Sequence, residues 1–237
     1  MITVKKITNK QADPFILYKH YAKRRPSISY AYGLIIDNEI KGVCCYGQPG
    51  GVCLSKGLFG GEYRKQILEL NRLFIDEDVT IYNVASQLVS QSIKMLPSPL
   101  CIVSFADTSV GHNGIIYQAT NFLYTGLSAK RTEWAIKGME HLHSKSIADK
   151  AKKGGGRWDA LKDEYGDRLY KRDRPRKHRY IYIKGNKREK KIMLNKLKYK
   201  PIPYPPKKES TRYQVGEVPQ NKITQQTLYD IANATIA

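Results

Sequence analysis

Asp107 and His112 stand five residues apart in the stretch SFADTSVGHNG, Ser104–Gly114. A carboxylate and an imidazole on one short loop can approach each other. The Asp can then orient the His, and the His can take a proton from a weakly basic amine. An alternative role is structural, with Asp107 capping the turn and His112 bonding only backbone. Ser104 could bond a substrate carbonyl or face a sheet interior. Arg72 and Asn71 interrupt the apolar run ILELNRLFI, Ile67–Ile75. A charge in such a run needs a partner if it is buried, so Arg72 fits a phosphate, carboxylate or donor group. Glu69 lies three residues before it, and on a regular strand the two point to opposite faces. His20 and Tyr21, beside Lys23-Arg24-Arg25, either border a substrate groove or are solvated helix-end residues. The spacing of His20, Asp107 and His112 matches no standard ligand motif, which leaves the metal question open.

The loop needs a strand before it and a helix after it. Leu100–Phe105 reads as a buried strand, Ile115–Asn121 as a helix, and Leu123–Ser128 and Thr132–Lys137 as strands. On that helix Asn121 follows Tyr117 by four residues and faces the same way. Upstream, residues 1–7 suit an edge strand. Asp13-Pro14 suits a helix start, with Asp as cap and Pro in the first turn. Tyr30–Asp37 and Ile40–Tyr46 form a hairpin. Gly47–Gly61 holds six glycines and reads as open loop. Asn83 is the N-cap expected for a helix that ends at Pro97. Together residues 1–140 predict an α/β (α+β) domain with a mixed central sheet flanked by helices.

The remainder differs in composition. The formal net charge is +20, and residues 141–210 hold 23 Lys+Arg against 8 Asp+Glu. That imbalance points to a polyanion, bound strongly and with steep salt dependence. In this segment Arg172, Arg174, Arg176, Lys177 and Arg179 interleave with Tyr170, Tyr180 and Tyr182. Arginines can clamp phosphates and tyrosines can stack on an exposed base. The expected division is a catalytic domain over 1–140, a basic DNA-binding extension over 141–210 and a tail over 211–237, with a hinge at Gly154-Gly155-Gly156. A helix at Trp158–Tyr165, a strand at Tyr180–Lys184 and a cationic helix near Lys187–Leu197 fall within the extension. No apolar run approaches the roughly 20 residues of a membrane helix, the N-terminus lacks a signal-peptide core, and the cysteines include no CxxC pair. A cytoplasmic protein is expected.

Residues 1–140 resemble the GCN5-related N-acetyltransferase (GNAT) fold. The blocks ELNRL (Glu69–Leu73), SFAD (Ser104–Asp107), GHNGIIYQATNFLYTG (Gly111–Gly126) and KHRYIYI with KLKYKPIPYP (Lys177–Pro205) resemble more closely the Mom-type phage DNA adenine modification enzymes, themselves GNAT relatives. The fold resemblance implies an acetyl-CoA-type donor lying where Ile67–Ile75 splays from its neighbour, contacted by Arg72, Leu73, Phe74 and Asn121. Its pyrophosphate would sit at Asn83, Ala85 and Ser86. The usual glycine-rich turn is replaced by DVTIYNVAS. Tyr117 and Tyr124 occupy positions where relatives keep a general acid near the donor sulfur. The family resemblance implies hypermodification of adenine N6 in double-stranded bacteriophage DNA to a carbamoylmethyl adduct that blocks host restriction, in the bacterial cytoplasm. To reach N6 the base must be unstacked or flipped. Plain acetyl transfer would join N6 to a carbonyl carbon, so this product requires another donor or added redox chemistry, with iron one candidate. Two alternatives stay open: an N-acetyltransferase acting on a protein or small amine, and a non-catalytic DNA-binding protein. A methyltransferase is excluded by the lack of a glycine-rich SAM loop and a DPPY-like tetrad.

Overall fold

The computed structural model describes residues 2–140, 142, 146, 147, 149 and 158–205. In chain order the elements are β1 (Ile2–Ile7), α1 (Asn9–Pro14), β2 (Tyr30–Ile36), β3 (Glu39–Gly47), α2 (Val52–Phe59), β4 (Ile67–Ile75), α3 (Val84–Met95), β5 (Leu100–Asp107), α4 (Ile115–Ala119), β6 (Leu123–Leu127), β7 (Thr132–Ile136), α5 (Asp159–Tyr165), β8 (Leu169–Asp173), β9 (Lys177–Lys184) and α6 (Lys187–Lys196). Seven strands form one mixed sheet in the order β1-β2-β3-β4-β5-β9-β6, and β7 pairs with β8 in a separate two-stranded sheet. The expected mixed α/β architecture is therefore present.

The chain divides into two units, and the division differs from the expected boundary near residue 140. One unit comprises the described residues up to Leu127 and from Lys177 onward; the other spans Ser128–Arg176. The reason lies in β9. Its residues were expected to form a short strand in a basic extension, yet β9 pairs with β5 along its whole length, from Leu100↔Lys184 to Asp107↔Lys177. Alternating apolar residues (Ile181, Ile183 on one face, Tyr180, Tyr182 on the other) let it insert into a buried position that a charge count does not reveal. The smaller unit has its own core of Ile136, Ile147 and Leu161, with Trp158 and Leu169 against it. The Gly154–Gly156 hinge and the 211–237 tail lie outside the described residues.

Two helices also differ from expectation. The first begins at Thr8, not at Asp13. Thr8 and Gln11 form a reciprocal capping box, which satisfies two otherwise orphan N–H groups, and Pro14 falls inside the helix, followed by a π-helical turn over Phe15–Lys19. The glycine-rich stretch contains α2, whose Leu58 and Phe59 are buried. Gly60, at φ 72°, ends it in the left-handed conformation that glycine adopts without penalty.

Both faces of the large sheet are covered. Leu68, Leu70, Leu100, Ile102, Ala106, Tyr124 and Tyr180 project to one face and pack with Val84, Leu88, Val89 and Ile93 of α3. On the other face, Ile67, Cys101, Val103, Ile181 and Ile183 meet α2 and α6. Val43, Cys45 and Phe74 meet Ala12, Phe15 and Ile16 further along that face. No side chain from Leu100 to Val103 is more than 5% exposed. Each such apolar side chain contributes about 1.5–3 kcal/mol on burial, so the strand ending in Asp107 is rigidly placed.

Candidate active site at the split between two parallel strands

β4 and β5 are parallel, and their pairing stops early. The register runs from Ile67↔Cys101 only to Leu70↔Ser104, although β4 continues to Ile75 and β5 to Asp107. Beyond that rung the strands have no sheet partner on their facing edges. At the last rung the Ser104 hydroxyl donates to the Leu70 carbonyl at 3.0 Å. Tyr117, from α4, is hydrogen-bonded to Ser104, and burial pushes its phenol well above the usual range.

A bulge in β4 decides which residues meet here. Cys45 pairs with Arg72 and Tyr46 with Leu70, so Asn71 is the extra residue. A bulge resets the alternation of side chains. Arg72 therefore lies on the same face as Phe74 and Cys45, which also bears Glu69. The regular-strand reading, with Glu69 and Arg72 on opposite faces, is corrected by this bulge. The Arg72 guanidinium donates to the Arg24 carbonyl at 2.7 Å and to the Asn71 carbonyl at 2.6 Å. Burial raises the Glu69 carboxyl, while the cations of Lys177 and Arg72 and an N–H from Gly50 pull it partway back.

Asp107 closes the end of β5. Its carboxylate lies 2.6 Å from Lys177 Nζ and accepts from the Ser109 hydroxyl at 2.6 Å and the Ser109 N–H at 3.0 Å. Burial works to raise its pKa, but the bonds from Lys177 and Ser109 outweigh it and hold the group below the ordinary Asp value. The expected Asp–His pair takes a different form. The Asp107 carbonyl accepts the His112 N–H at 3.0 Å, so the two side chains interact through space. His112 is exposed on its loop; partial loss of solvent around its ring lowers its pKa, and the charge of Asp107 raises it partway back. The imidazole is thus neutral near pH 7 and able to accept a proton.

His20 and Tyr21 join the same cluster. Their rings stack at 4.4 Å, and Tyr21 meets His112 edge-on at 6.2 Å. His20 is 5% exposed, not solvated. Its Nδ1 accepts the Ala22 N–H at 3.0 Å, and burial, aided by Arg72 and His112, lowers its pKa to about 3. Burial and the Asp107 charge raise the Tyr21 phenol. His20, Asp107 and His112 do not form a metal site: among the described residues no group of three or more His, Cys, Asp and Glu is placed to hold an ion.

The loop between Asp107 and α4 is held from β9. Tyr180 is fully buried, and its hydroxyl donates to the Asn113 carbonyl and accepts from Gln118. It cannot stack on a DNA base as the sequence suggested, and instead positions the His112 loop. The Tyr124 hydroxyl bonds His178 Nδ1 at 2.8 Å. Arg179, 8% exposed, donates to the Thr125 hydroxyl and carbonyl and lies 3.5 Å over the Tyr199 ring, so its expected role as a phosphate clamp is corrected to a structural one. In the smaller unit Arg172 pairs with Glu133 at 2.9 Å, Arg174 approaches the same carboxylate at 3.8 Å, and Arg176 donates to the Ser128 carbonyl. Asn121 is exposed in a left-handed turn after α4 ends at Ala119, so it does not share a helix face with Tyr117. Leu73 packs toward the α3 side and Phe74 is buried among the α1 residues. Asn83 is the N-cap residue of α3, but its left-handed backbone aims no side-chain cap, and its carbonyl accepts from Ser86 and Gln87.

Glu69, Lys177, His178 and Tyr180 were not singled out for these places by sequence reasoning. The bulge hid Glu69, and the β5–β9 register that sets Lys177 opposite Asp107 has no local signal.

The mixed sheet thus splits between its two parallel strands, with titratable side chains gathered at the split. A family model described as the Mom protein family matches residues 1–206, and the chain belongs to that family. The methylcarbamoylase Mom of Escherichia phage Mu is 30% identical over 203 residues, covering 82% of this chain and 79% of that protein. Among solved structures, a GNAT family acetyltransferase from Elizabethkingia anophelis with acetyl-CoA bound is 14% identical with a TM-score of 0.42, over 77% of this chain and 98% of that one. An acetyltransferase of the GNAT family from Bacillus cereus is 14% identical with a TM-score of 0.41, over 78% and 98%. Among the described residues no helix is long and apolar enough to cross a membrane.

Proposed function

We propose that the protein transfers a carbamoylmethyl-type group to adenine N6 in double-stranded phage DNA, protecting that DNA from restriction. The observation that carries this reading is the gathering of His112, Asp107–Lys177, Glu69, Arg72 and Tyr21 at the β4/β5 split, in a chain of the Mom family. Adenine N6 is a poor nucleophile because its lone pair is delocalised into the ring. Forming an N6–carbon bond requires loss of an N6 proton, and a neutral His112 accepts it. Asp107, ionised and fixed by Lys177 and Ser109, stabilises the imidazolium that results. Tyr21, backed by His20, offers an aromatic wall to a flipped purine.

An acyl-CoA-type donor fits the split in two respects. The facing edge of Asn71–Ile75 beyond the last β4–β5 rung has no sheet partner, and α3 begins beside it with the N–H groups of Ala85 and Ser86 in its first turn. The fit departs from the usual pattern in the turn itself, where no glycine lets the backbone wrap a pyrophosphate. When bound, such a donor would supply a carbonyl carbon activated as a thioester, whose attack by N6 gives an N6-acyl product and a free thiol; the N6–methylene bond and the amide nitrogen of a carbamoylmethyl adduct require a further nitrogen-bearing co-reactant. Arg72 and Lys177 supply positive charge at the split, and the Tyr117 phenol, hydrogen-bonded to Ser104, is a proton donor for the departing group. The test is to express the protein in bacteria and analyse total nucleosides by mass spectrometry. The expected result is deoxyadenosine carrying added mass, absent with Asp107→Ala.

A further inference from the structure

α6 carries a dense run of cations that the site does not use. Its single acid is spent on its own cap, since the Glu189 carboxylate accepts the Asn186 N–H at 2.7 Å. Lys187, Arg188, Lys190 and Lys191 are all exposed, and none forms an ion pair among the described residues. Lys198 and Lys200 continue the run and are also exposed. Lys196 is the exception, paired with Glu62 at 2.8 Å. Lysines three and four apart on a helix repel each other. The helix holds because Met193 and Leu197 are buried against Ile181 and Ile183. That anchoring turns the cations outward.

The position of α6 relates it to the site. It packs on the sheet face that bears Val103 and Phe105, and alternation along β5 puts Asp107 on that face. The chain after α6 returns toward the site: the Tyr199 ring lies 3.5 Å from the guanidinium of Arg179, two residues from the Asp107 partner Lys177. Ten residues of helix span about 15 Å, or roughly four base pairs of duplex.

We infer that α6, with Lys198 and Lys200, is the surface that grips the phosphate backbone of duplex DNA. This rests on the reading that DNA is the substrate. Arg179 and Tyr180 are buried, and Arg172 and Arg174 are tied to Glu133, whereas Lys187, Arg188, Lys190 and Lys191 of α6 form no ion pair among the described residues. An anionic membrane is a poorer match, because Met193 and Leu197 are packed against the sheet and only Ile192 and Leu194, 42% and 37% exposed, remain on α6 as apolar side chains open to solvent, against four exposed cations.

The test compares the wild-type protein, a Lys187→Gln/Arg188→Gln/Lys190→Gln/Lys191→Gln variant and a Lys5→Gln/Lys10→Gln control. Binding to a fluorescent 20-base-pair duplex is measured by anisotropy across a salt series, with far-UV circular dichroism confirming the fold. Each lost phosphate contact removes about 0.9 from the slope of log K against log salt. Loss of two or more contacts lowers the slope by about 2 and weakens binding roughly 60-fold near 0.1 M salt, while the control keeps the wild-type slope. An unchanged slope in the α6 variant, or an equal loss in the control, overturns the inference. Tighter, α6-dependent binding to phosphatidylserine vesicles than to duplex also overturns it. A wild-type protein that binds no duplex at all refutes the DNA reading itself, and so separates the two failures.

Discussion

Gly114→Ala is expected to unfold the loop that carries His112, and its cost can be worked from two terms. Gly114 sits at φ 82°, and a Cβ built there would lie 2.3 Å from Tyr180 Cε2. The left-handed backbone alone costs a non-glycine residue about 1–2 kcal/mol. The clash adds about 1–3 kcal/mol, the usual cost of overpacking a filled core. Tyr180 cannot swing away to relieve it, since its ring is fully buried among Tyr117, Tyr124 and Tyr204. The sum is about 2–5 kcal/mol. Urea unfolding of the wild type, the single variant and a Gly114→Ala/Tyr180→Leu double variant apportions it. Removing the ring should leave Gly114→Ala, measured in the Tyr180→Leu background, with only the backbone term, about 1–2 kcal/mol. A single-variant loss below about 1 kcal/mol, or no coupling between the two positions, would refute the claim that Tyr180 buttresses the His112 loop.

Four further outcomes follow from the same geometry. Asp107→Asn removes the charge that raises the His112 pKa, so the acid limb of the modification rate against pH should shift to lower pH as well as falling in amplitude; a shift to higher pH contradicts the electrostatic role. His20 has its pKa lowered to about 3 from 6.5, so the unfolded chain binds the extra proton between those values and stability falls as pH drops through that window, by up to about 1.4 kcal/mol per pH unit. His20→Phe should remove that component from a urea-unfolding series run from pH 7 to pH 4. Asp107 acts in a different window: its folded pKa is held below 3.8, so its contribution is full above the ordinary Asp value and is lost as pH falls below it, and Asp107→Asn should flatten unfolding data only there. Arg179→Ala loses its Thr125 hydrogen bonds and the Tyr199 stacking, and should cost about 2–4 kcal/mol in urea unfolding while leaving the salt slope of duplex binding unchanged.

The parts of the fold that could be read from sequence were those set by local patterns. The helical spacing of Leu88, Val89 and Ile93 and the apolar run Leu100–Phe105 each carry their own signal, and α3 and β5 lie within a few residues of expectation. The loop residues Asp107 and His112 were legible because a polar, glycine-containing turn breaks off a buried strand. What could not be read depends on pairing across the sequence. The bulge at Asn71 moves Arg72 to the face of Glu69, and nothing in ILELNRLFI marks it. The insertion of β9 between β5 and β6 brings Lys177 opposite Asp107 from 70 residues away. Charge content was misleading in the same region. Arginine and tyrosine density around Arg172–Tyr180 suggested an exposed binding surface, but Arg179 and Tyr180 are buried strand residues, and the half-buried Arg172 and Arg174 face Glu133. Glycine density hid α2 for a similar reason, since three of the six glycines flank or interrupt an apolar helix that tertiary packing stabilises.

The most direct measurement compares nucleoside mass spectra of DNA from cells producing wild-type, His112→Gln and Lys94→Gln proteins at matched folded levels. Lys94 is an exposed residue near the C-terminal end of α3. The account predicts modified deoxyadenosine with the wild type and Lys94→Gln and none with His112→Gln. Full modification by a folded His112→Gln protein would contradict the claim that chemistry occurs at the β4/β5 split.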